Sequence, residues 1–534
     1  MEGHSPDSQD SDVLVEGTYR TDAFHRKPIF AVRPPGHSSD RPALLVRSWD
    51  EALALHGKPH IDDINPAWLG RLISGSITAA SSPYRHIERL PRAHWVVVGP
   101  DGHYNATAYD PLSGGAGPLP EQELHALIRG GLLSSLRRSL KDHSGPIGCE
   151  HSSGIDSNAI VGALRQGLGI TPDRLHTFNV EGYGEDGLIN EFRHFHGLDA
   201  NQAHPILPGW QVGSLPSDDE LLLTIGQLSA PPQRGEFNSH SKDPTIAEGM
   251  LLFSGFGGDQ GLSHNGANVA SDLVATGRWR CLVQWSGGHR LALRALAGRA
   301  PGLISRRWAE AKTERLLAYR TRQGPHGWLA ALLSEEGRTL FGPHLRLDYF
   351  YEGDRYLTQR ESIRRRSLAS WVTVRAEEET RMAAALGIRK QFPLLNEQLI
   401  ATMMAQDPLR HAIRAGQGRL VARKAFGPFL PPLLCGDPSK RRDLQSSQSR
   451  EVHLIRQRVL ASLISRLRAE HHPLLDRWWH LDEAWRLAEE AVHADDSPEG
   501  IEAVIILLYQ TDALRKVSLW LRWLEGERSE LSAG

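Results

Sequence analysis

The sequence predicts an α/β fold, a parallel sheet with flanking helices, with a β-rich module before it and a helical part after it. Three observations carry this. Between residues 120 and 260, short apolar runs alternate with segments of helical spacing, the pattern of strands buried on both faces of a parallel sheet. Two of those runs, 146–149 and 250–253, open into loops of small residues that each carry one aspartate. Before residue 113 the chain reads as short strands and turns, and beyond about 270 as helices rich in Arg, Leu, Ala and Trp.

Length and composition set the bounds. A chain of 534 residues suggests roughly three domains. With 61 Lys+Arg against 63 Asp+Glu it is close to neutral, so no nucleic-acid or membrane partner is expected. Cys149, Cys281 and Cys435 are scattered and odd in number, which suits a reducing compartment better than a disulfide framework. The N-terminus is polar and acidic rather than signal-like, and the most apolar run, 503–509, is too short to span a bilayer. A soluble, cytoplasmic protein is expected.

In chain order, residues 1–12 read as a disordered tail and 13–115 as the β-rich module. Its strands fall near 28–33, 43–47 and 94–99, and the Asp101-Gly102 turn predicts a hairpin between 95–98 and 103–106. The Gly/Pro-rich run 113–120 is the best linker and marks a boundary near 115. The next domain, 120–445, begins with a helix marked by Leu124, Leu127, Leu132, Leu133 and Leu136. Strands 146–149, 175–180 and 250–253 follow, with helices over 158–168 and 189–196. Residues 446–534 form a helical extension in which Trp478, Trp479 and Trp485 read as core.

The chemistry lies in the loops. Ser152-Ser153-Gly154-Ile155-Asp156-Ser157 stands where a strand turns into a helix. Backbone N–H groups and the positive end of the helix dipole converge there, and small side chains let an anion approach. Beside a bound phosphate, the Asp156 carboxylate makes sense as a Mg2+ ligand. A plain Ser/Gly turn capping a helix is the alternative. The second loop, Ser254-Gly255-Phe256-Gly257-Gly258-Asp259, leaves another strand and belongs at the same sheet edge. His194 and His196 form an HxH pair without further ligands at metal spacing, and read as ordinary residues.

Together these loops resemble the S-G-G-x-D-S and S-G-x-G-x-D signatures of the asparagine synthetase family. Weaker likenesses follow in the same order: His176 to Val180 resembles the strand that holds adenine through its main chain, Gly387-Ile388 and Pro393 to Asn396 a degraded G-V-E-x-R-x-P-F-L-D, and Leu430-Pro431 with Pro438-Ser439-Lys440 the L-P and R-x-K segment. The resemblance implies an adenine nucleotide alpha hydrolase-like, ATP pyrophosphatase type synthetase domain that uses ATP and Mg2+. It implies an ATP and pyrophosphate site at Ser152, Ser153, Gly154, Asp156, Ser157, Val180, Ser254 and Gly255, with Mg2+ on Asp156 and Asp259. Lys440 is implied as the catalytic cation, or, read locally, as a solvated charge beside Arg441 and Arg442. Residues 83–91 with Tyr109-Asp110-Pro111 resemble the end of a glutaminase domain, but no cysteine precedes Cys149, so a degenerate module without its nucleophile is expected.

Departures narrow the expected reaction. Phe256 stands where asparagine synthetases carry Glu and β-lactam synthetases a Tyr of a Tyr/Glu base pair, and it moves no proton. With the Gly-Gly-Asp loop, Glu150-His151 and the long helical part, the chain most resembles lasso peptide macrolactam cyclases. That implies a precursor peptide as substrate, with a leader-peptide-binding protein and a leader protease as partners. A small-molecule amide synthetase and a silent nucleotide- or peptide-binding scaffold stay open. Ser153, Arg389 and Asn396 also depart from the family pattern. Glu377, Glu378 and Glu379 read as a solvated helix face, as do Arg306-Arg307 and Arg364 to Arg366.

Overall fold

The computed structural model describes residues 13–24, 28–34, 41–73, 82–180, 186–206, 217–228, 230, 249–264, 268–286, 288–290, 292–294, 296–297, 331–345, 357–407, 413–414, 417–436 and 450–526. Strands β1 (Gly17–Arg20), β2 (Phe30–Val32), β3 (Leu44–Val46), β4 (Ile87–Arg89), β5 (His94–Val98) and β6 (Tyr104–Ala108) build the N-terminal module. They form two antiparallel sheets, ordered β1-β5-β6 and β3-β2-β4. The predicted hairpin is β5–β6, and Gly102 supplies the positive φ of +77° that its turn requires. Alternation along β5 buries Val96 and Val98 and exposes Trp95 and Val97. Helices Trp49–His56 and Pro66–Ile73 complete the module, and the first starts at a Ser48/Glu51 capping box.

The glycine-rich run 113–120 lies along helix Glu397–Met404. A Cβ on Gly115 would sit 2.3 Å from the Ala401 carbonyl group, and Ala116 N–H donates to Thr402 Oγ1 at 3.2 Å. Leu119 N–H donates to Gln406 Oε1 at 3.0 Å. Helix Glu121–Leu140 follows, burying Leu124, Ile128, Leu132 and Leu136 along one stripe.

The second domain is organised by a five-stranded parallel sheet ordered β11-β10-β7-β8-β9. Its strands are β7 (Ile147–Glu150), β8 (Leu175–Val180), β9 (Ala203–Ile206), β10 (Leu251–Phe253) and β11 (Arg389–Gln391). From β7 the chain steps outward to β8 and β9, then returns to add β10 and β11 on the other side. The loops leaving neighbours β7 and β10 therefore diverge at a switch point, where open parallel sheets form ligand crevices. The Phe253–Cys149 register brings both loops to the same level.

The C-terminal helices Arg450–Glu470, Leu481–Val492 and Pro498–Glu525 share one hydrophobic core with the N-terminal module. Trp520 packs against Trp68 and Tyr84, and its Nε1–H donates to the Tyr84 hydroxyl at 3.2 Å. Trp478, Trp479 and Trp485 are buried there as expected. Among the described residues, no helix is long and apolar enough to cross a membrane.

One expectation is overturned. Glu377, Glu378 and Glu379 on helix Ser370–Ala385 are only 6, 9 and 6 % exposed, not a solvated face. Arg89 Nη2 and Trp49 Nε1 donate to Glu377 Oε1 at 2.5 and 3.0 Å. Glu379 holds Arg375 at 2.5 Å and Lys390 at 2.8 Å. Burial of Glu377 and Glu379 is sustained by Arg89 and Lys390 from distant parts of the chain and by Arg375 from the preceding turn of the same helix. Arg364 pairs with Asp110 at 2.8 Å; Arg306 and Arg307 lie outside the described residues.

Candidate active site

The first loop is closed upon itself by its serines. Ser157 Oγ donates toward the carbonyls of Ser152 at 3.1 Å and Gly154 at 3.3 Å, and accepts from Ser152 N–H at 3.1 Å. Ser152 Oγ accepts from Gly154 N–H at 3.1 Å. Gly154 caps helix Ile155–Gly162 with extended backbone, which places Asp156 in its first turn. Ser153 is buried. Val180 stands at the same sheet edge, at the C-terminal end of β8 beside this loop.

The second loop packs directly on the first. Ser254 N–H continues the sheet by donating to Gln391 O at 3.0 Å, and Ser254 Oγ accepts from Phe256 N–H at 3.2 Å. A Cβ on Gly255 would stand 3.0 Å from Ser157 N, and one on Gly258 would stand 2.3 Å from the Asp156 carboxyl group. Gly257 adopts φ +98°. Glycine is thus needed at 257 for conformation and at 258 so that the aspartate of the other loop can approach.

Asp156 and Asp259 are brought together. Ser263 Oγ lies 2.9 Å from Asp156 Oδ2 and 3.4 Å from Asp259 Oδ1. Arg419 reaches the same pair, with Nη2 2.7 Å from Asp259 Oδ1 and Nη1 3.9 Å from Asp156 Oδ2. Arg419 does so with φ +59°, a left-handed backbone that costs a side-chain-bearing residue free energy. Burial first, and the Asp259 carboxylate second, push the Asp156 carboxyl up to about 7, against the opposing pull of Arg419 and Ser263.

These residues fit a divalent cation. Asp156 Oδ1 is buried and has no hydrogen-bond partner among the described residues, and hard carboxylate oxygens are what Mg2+ takes when phosphate and water complete its shell. Asp156 and Asp259 would hold it.

A second charged chain borders the crevice. Lys390 on β11 is buried between Glu150, 2.5 Å away at the end of β7, and Glu379. Burial lowers its ammonium and the two carboxylates outweigh that, so its pKa is raised. Arg375, paired to Glu379, stacks 4.2 Å over the Phe256 ring, which also meets Trp371 and Phe392 edge-on. Position 256 therefore contributes an apolar wall capped by a cation.

The structure thus joins Ser152, Ser153, Gly154, Asp156 and Ser157 to Ser254, Gly255 and Asp259 in one crevice. Lys440 lies outside the described residues. Ser263, Arg419 and Lys390 were not expected. Ser263, four residues after Asp259 in a turn, has a local signal; Arg419 arrives from a distant segment and has none.

The switch-point crevice and its paired carboxylates describe an α/β protein suited to a magnesium-bound phosphate ligand. The asparagine synthase family model matches residues 251–509, a span that includes the second loop and Arg419. That match supports the asparagine synthetase family and, with it, an ATP-dependent C–N ligase. Comparison with curated proteins gives no match.

Proposed function

We propose that this chain activates a carboxylate as its acyl-adenylate and passes it to an amine, most specifically to close the macrolactam ring of a lasso peptide precursor. The observation that carries the adenylating chemistry is the convergence of Asp156 and Asp259 from two loops at the switch point. In the proposed reaction the substrate carboxylate oxygen attacks the α-phosphorus of ATP and pyrophosphate leaves. The amine then attacks the acyl carbon, AMP leaves, and one proton is lost, so an amide forms and the peptide loses one water. When bound, Mg2+ supplies neutralisation of the phosphate charge.

The chain's own residues would do the rest. The N–H groups of the first loop and the start of its helix would hold the pyrophosphate, and the main chain at Val180 would hold the adenine. Arg419 would balance the carboxylate pair before the cation arrives. Lys440 would offset charge at the reacting acyl centre.

Ring closure is favoured over a free small amine by position 256. Phe256 transfers no proton and sits in an aromatic wall with Trp371 and Phe392, which suits a bound peptide that brings its own nucleophile. Holding both groups together is worth about 7–11 kcal/mol. The N-terminal module is proposed as a glutaminase-like domain without its nucleophile, since no cysteine precedes Cys149. A leader-peptide-binding protein and a leader protease would act beside the chain, in the cytoplasm.

The test combines the protein with ATP, Mg2+ and a precursor peptide with its leader-binding partner. Peptide mass and AMP release are followed together. Loss of one water matched to AMP, and absent in Asp156→Ala, supports ring closure. AMP without a dehydrated peptide moves the substrate to a small molecule, and ADP as the product overturns adenylation.

A further inference from the structure

Behind the first loop lies a buried polar knot that the proposed chemistry does not use. Asn158 is fully buried on the helix that leaves the loop. Its Nδ2 donates to the carbonyls of Ser152 at 2.9 Å and Gly154 at 2.8 Å. Its Oδ1 lies 3.0 Å from His151 Nε2 and 3.2 Å from His196 Nε2.

Donor and acceptor chemistry fixes the arrangement. Backbone carbonyls only accept, so the amide nitrogen must face the loop and the amide oxygen must face the imidazoles. Both histidines then donate from Nε2. They approach from different elements, His151 from the end of β7 and His196 from the turn after helix Asp186–Phe195, and both are buried. Burial foremost, with His151 and Arg165 nearby, pushes His196 down to about 3, so it serves as a neutral donor.

The consequence for the loop follows from peptide planarity. In a trans peptide the N–H points opposite to the C=O. Drawing the Ser152 and Gly154 carbonyls toward Asn158 therefore aims the N–H groups of Ser153 and Ile155 to the other side of the loop. The buried amide, together with Ser157 Oγ, which donates toward the same two carbonyls at 3.1 and 3.3 Å, sets the direction of both N–H groups.

We propose that Asn158, aligned by His151 and His196, is the positioning residue that holds the first loop in its phosphate-binding conformation. This rests on reading the loop as the seat of the ATP pyrophosphate.

Calorimetric titration of the full chain with MgATP, and separately with magnesium pyrophosphate, tests it alongside thermal melting and the ATP dependence of AMP release. Asn158→Asp keeps an acceptor for both imidazoles and loses the donor to the loop, so both ligands should bind about ten- to a hundredfold more weakly, with the ATP KM raised. His196→Leu should weaken binding in the same direction, and His196→Gln, which restores an N–H donor, should recover it. Should Asn158→Asp not fold, the His196 pair decides.

Wild-type affinity in Asn158→Asp and His196→Leu would overturn the inference and leave the nucleotide reading standing. His196→Gln as weak as His196→Leu would overturn the hydrogen-bond account. Wild-type protein that binds neither ligand would overturn the nucleotide reading, and the inference with it.

Discussion

Asp156 concentrates the electrostatics of the site. Its carboxyl pKa rises from 3.8 in the unfolded chain to about 7, so its contribution to stability is full below 3.8 and is lost as pH rises through about 7. Asp156→Asn removes that loss, and its melting temperature should exceed that of the wild type at pH 8, by less at pH 5, and converge with it only below about pH 4, while AMP formation falls about a hundredfold or more. Mg2+ must displace the same proton. Its apparent affinity should drop about tenfold for each pH unit below 7 and level off above it, with proton release seen in titrations run in two buffers. Arg419 offers the converse test. Glycine accepts φ +59° without strain, so Arg419→Gly should keep or raise the melting temperature while AMP release falls. A lowered melting temperature with unchanged turnover would make Arg419 purely structural. The two aspartates were legible in the sequence because each sits in a short loop of small residues after an apolar run. Arg419 was not, because its role depends on a backbone conformation and a partner that local sequence does not announce.

The strands divide along the same line. β7, β8 and β10 could be read because their burial is apolar and continuous, and the β5–β6 hairpin because Asp101-Gly102 marks its turn. β11 could not. Its sequence is Arg-Lys-Gln, and its central residue is buried through Glu150 and Glu379 rather than through apolar contact. β9 is short and carries His204 and Pro205, placed at a sheet edge where a missing donor is tolerated. The buried glutamates of helix Ser370–Ala385 were misread for the same reason, since their cations come from β4, β11 and the helix's own preceding turn. Lys390→Met should therefore destabilise the protein by about 3–5 kcal/mol, by taking the Lys390 cation from Glu150 and leaving Glu379 with Arg375 alone; denaturant unfolding reads this, and a loss below 1 kcal/mol would remove the ion pairs from the account of the sheet. Gly258→Ala should cost about 1–3 kcal/mol by overpacking and lower Mg2+ affinity as well, because the new methyl group meets the Asp156 carboxyl group directly.

At the level of the molecule, the division into a module before residue 115 and an extension after 445 describes sequence composition better than it describes packing. Phe30, Trp49, Trp68 and Tyr84 share a core with Val459, Leu463, Trp520 and Leu521. Trp520→Ala should cost about 3–5 kcal/mol, and hydrogen exchange should rise in β2 and β4 as well as in the C-terminal helices. Protection lost only from the helices would mean that the core does not act as one unit. No reading of local periodicity could have joined these segments, because each reveals only its own apolar face. The shared core also has a meaning in time. During synthesis the first strands leave the ribosome long before helix Pro498–Glu525 exists, so their apolar faces must wait, uncovered, for nearly the whole chain to be made. The nascent N-terminal module is a natural client for a chaperone, and a chain that stopped short of helix Pro498–Glu525 would leave the apolar faces of that module uncovered.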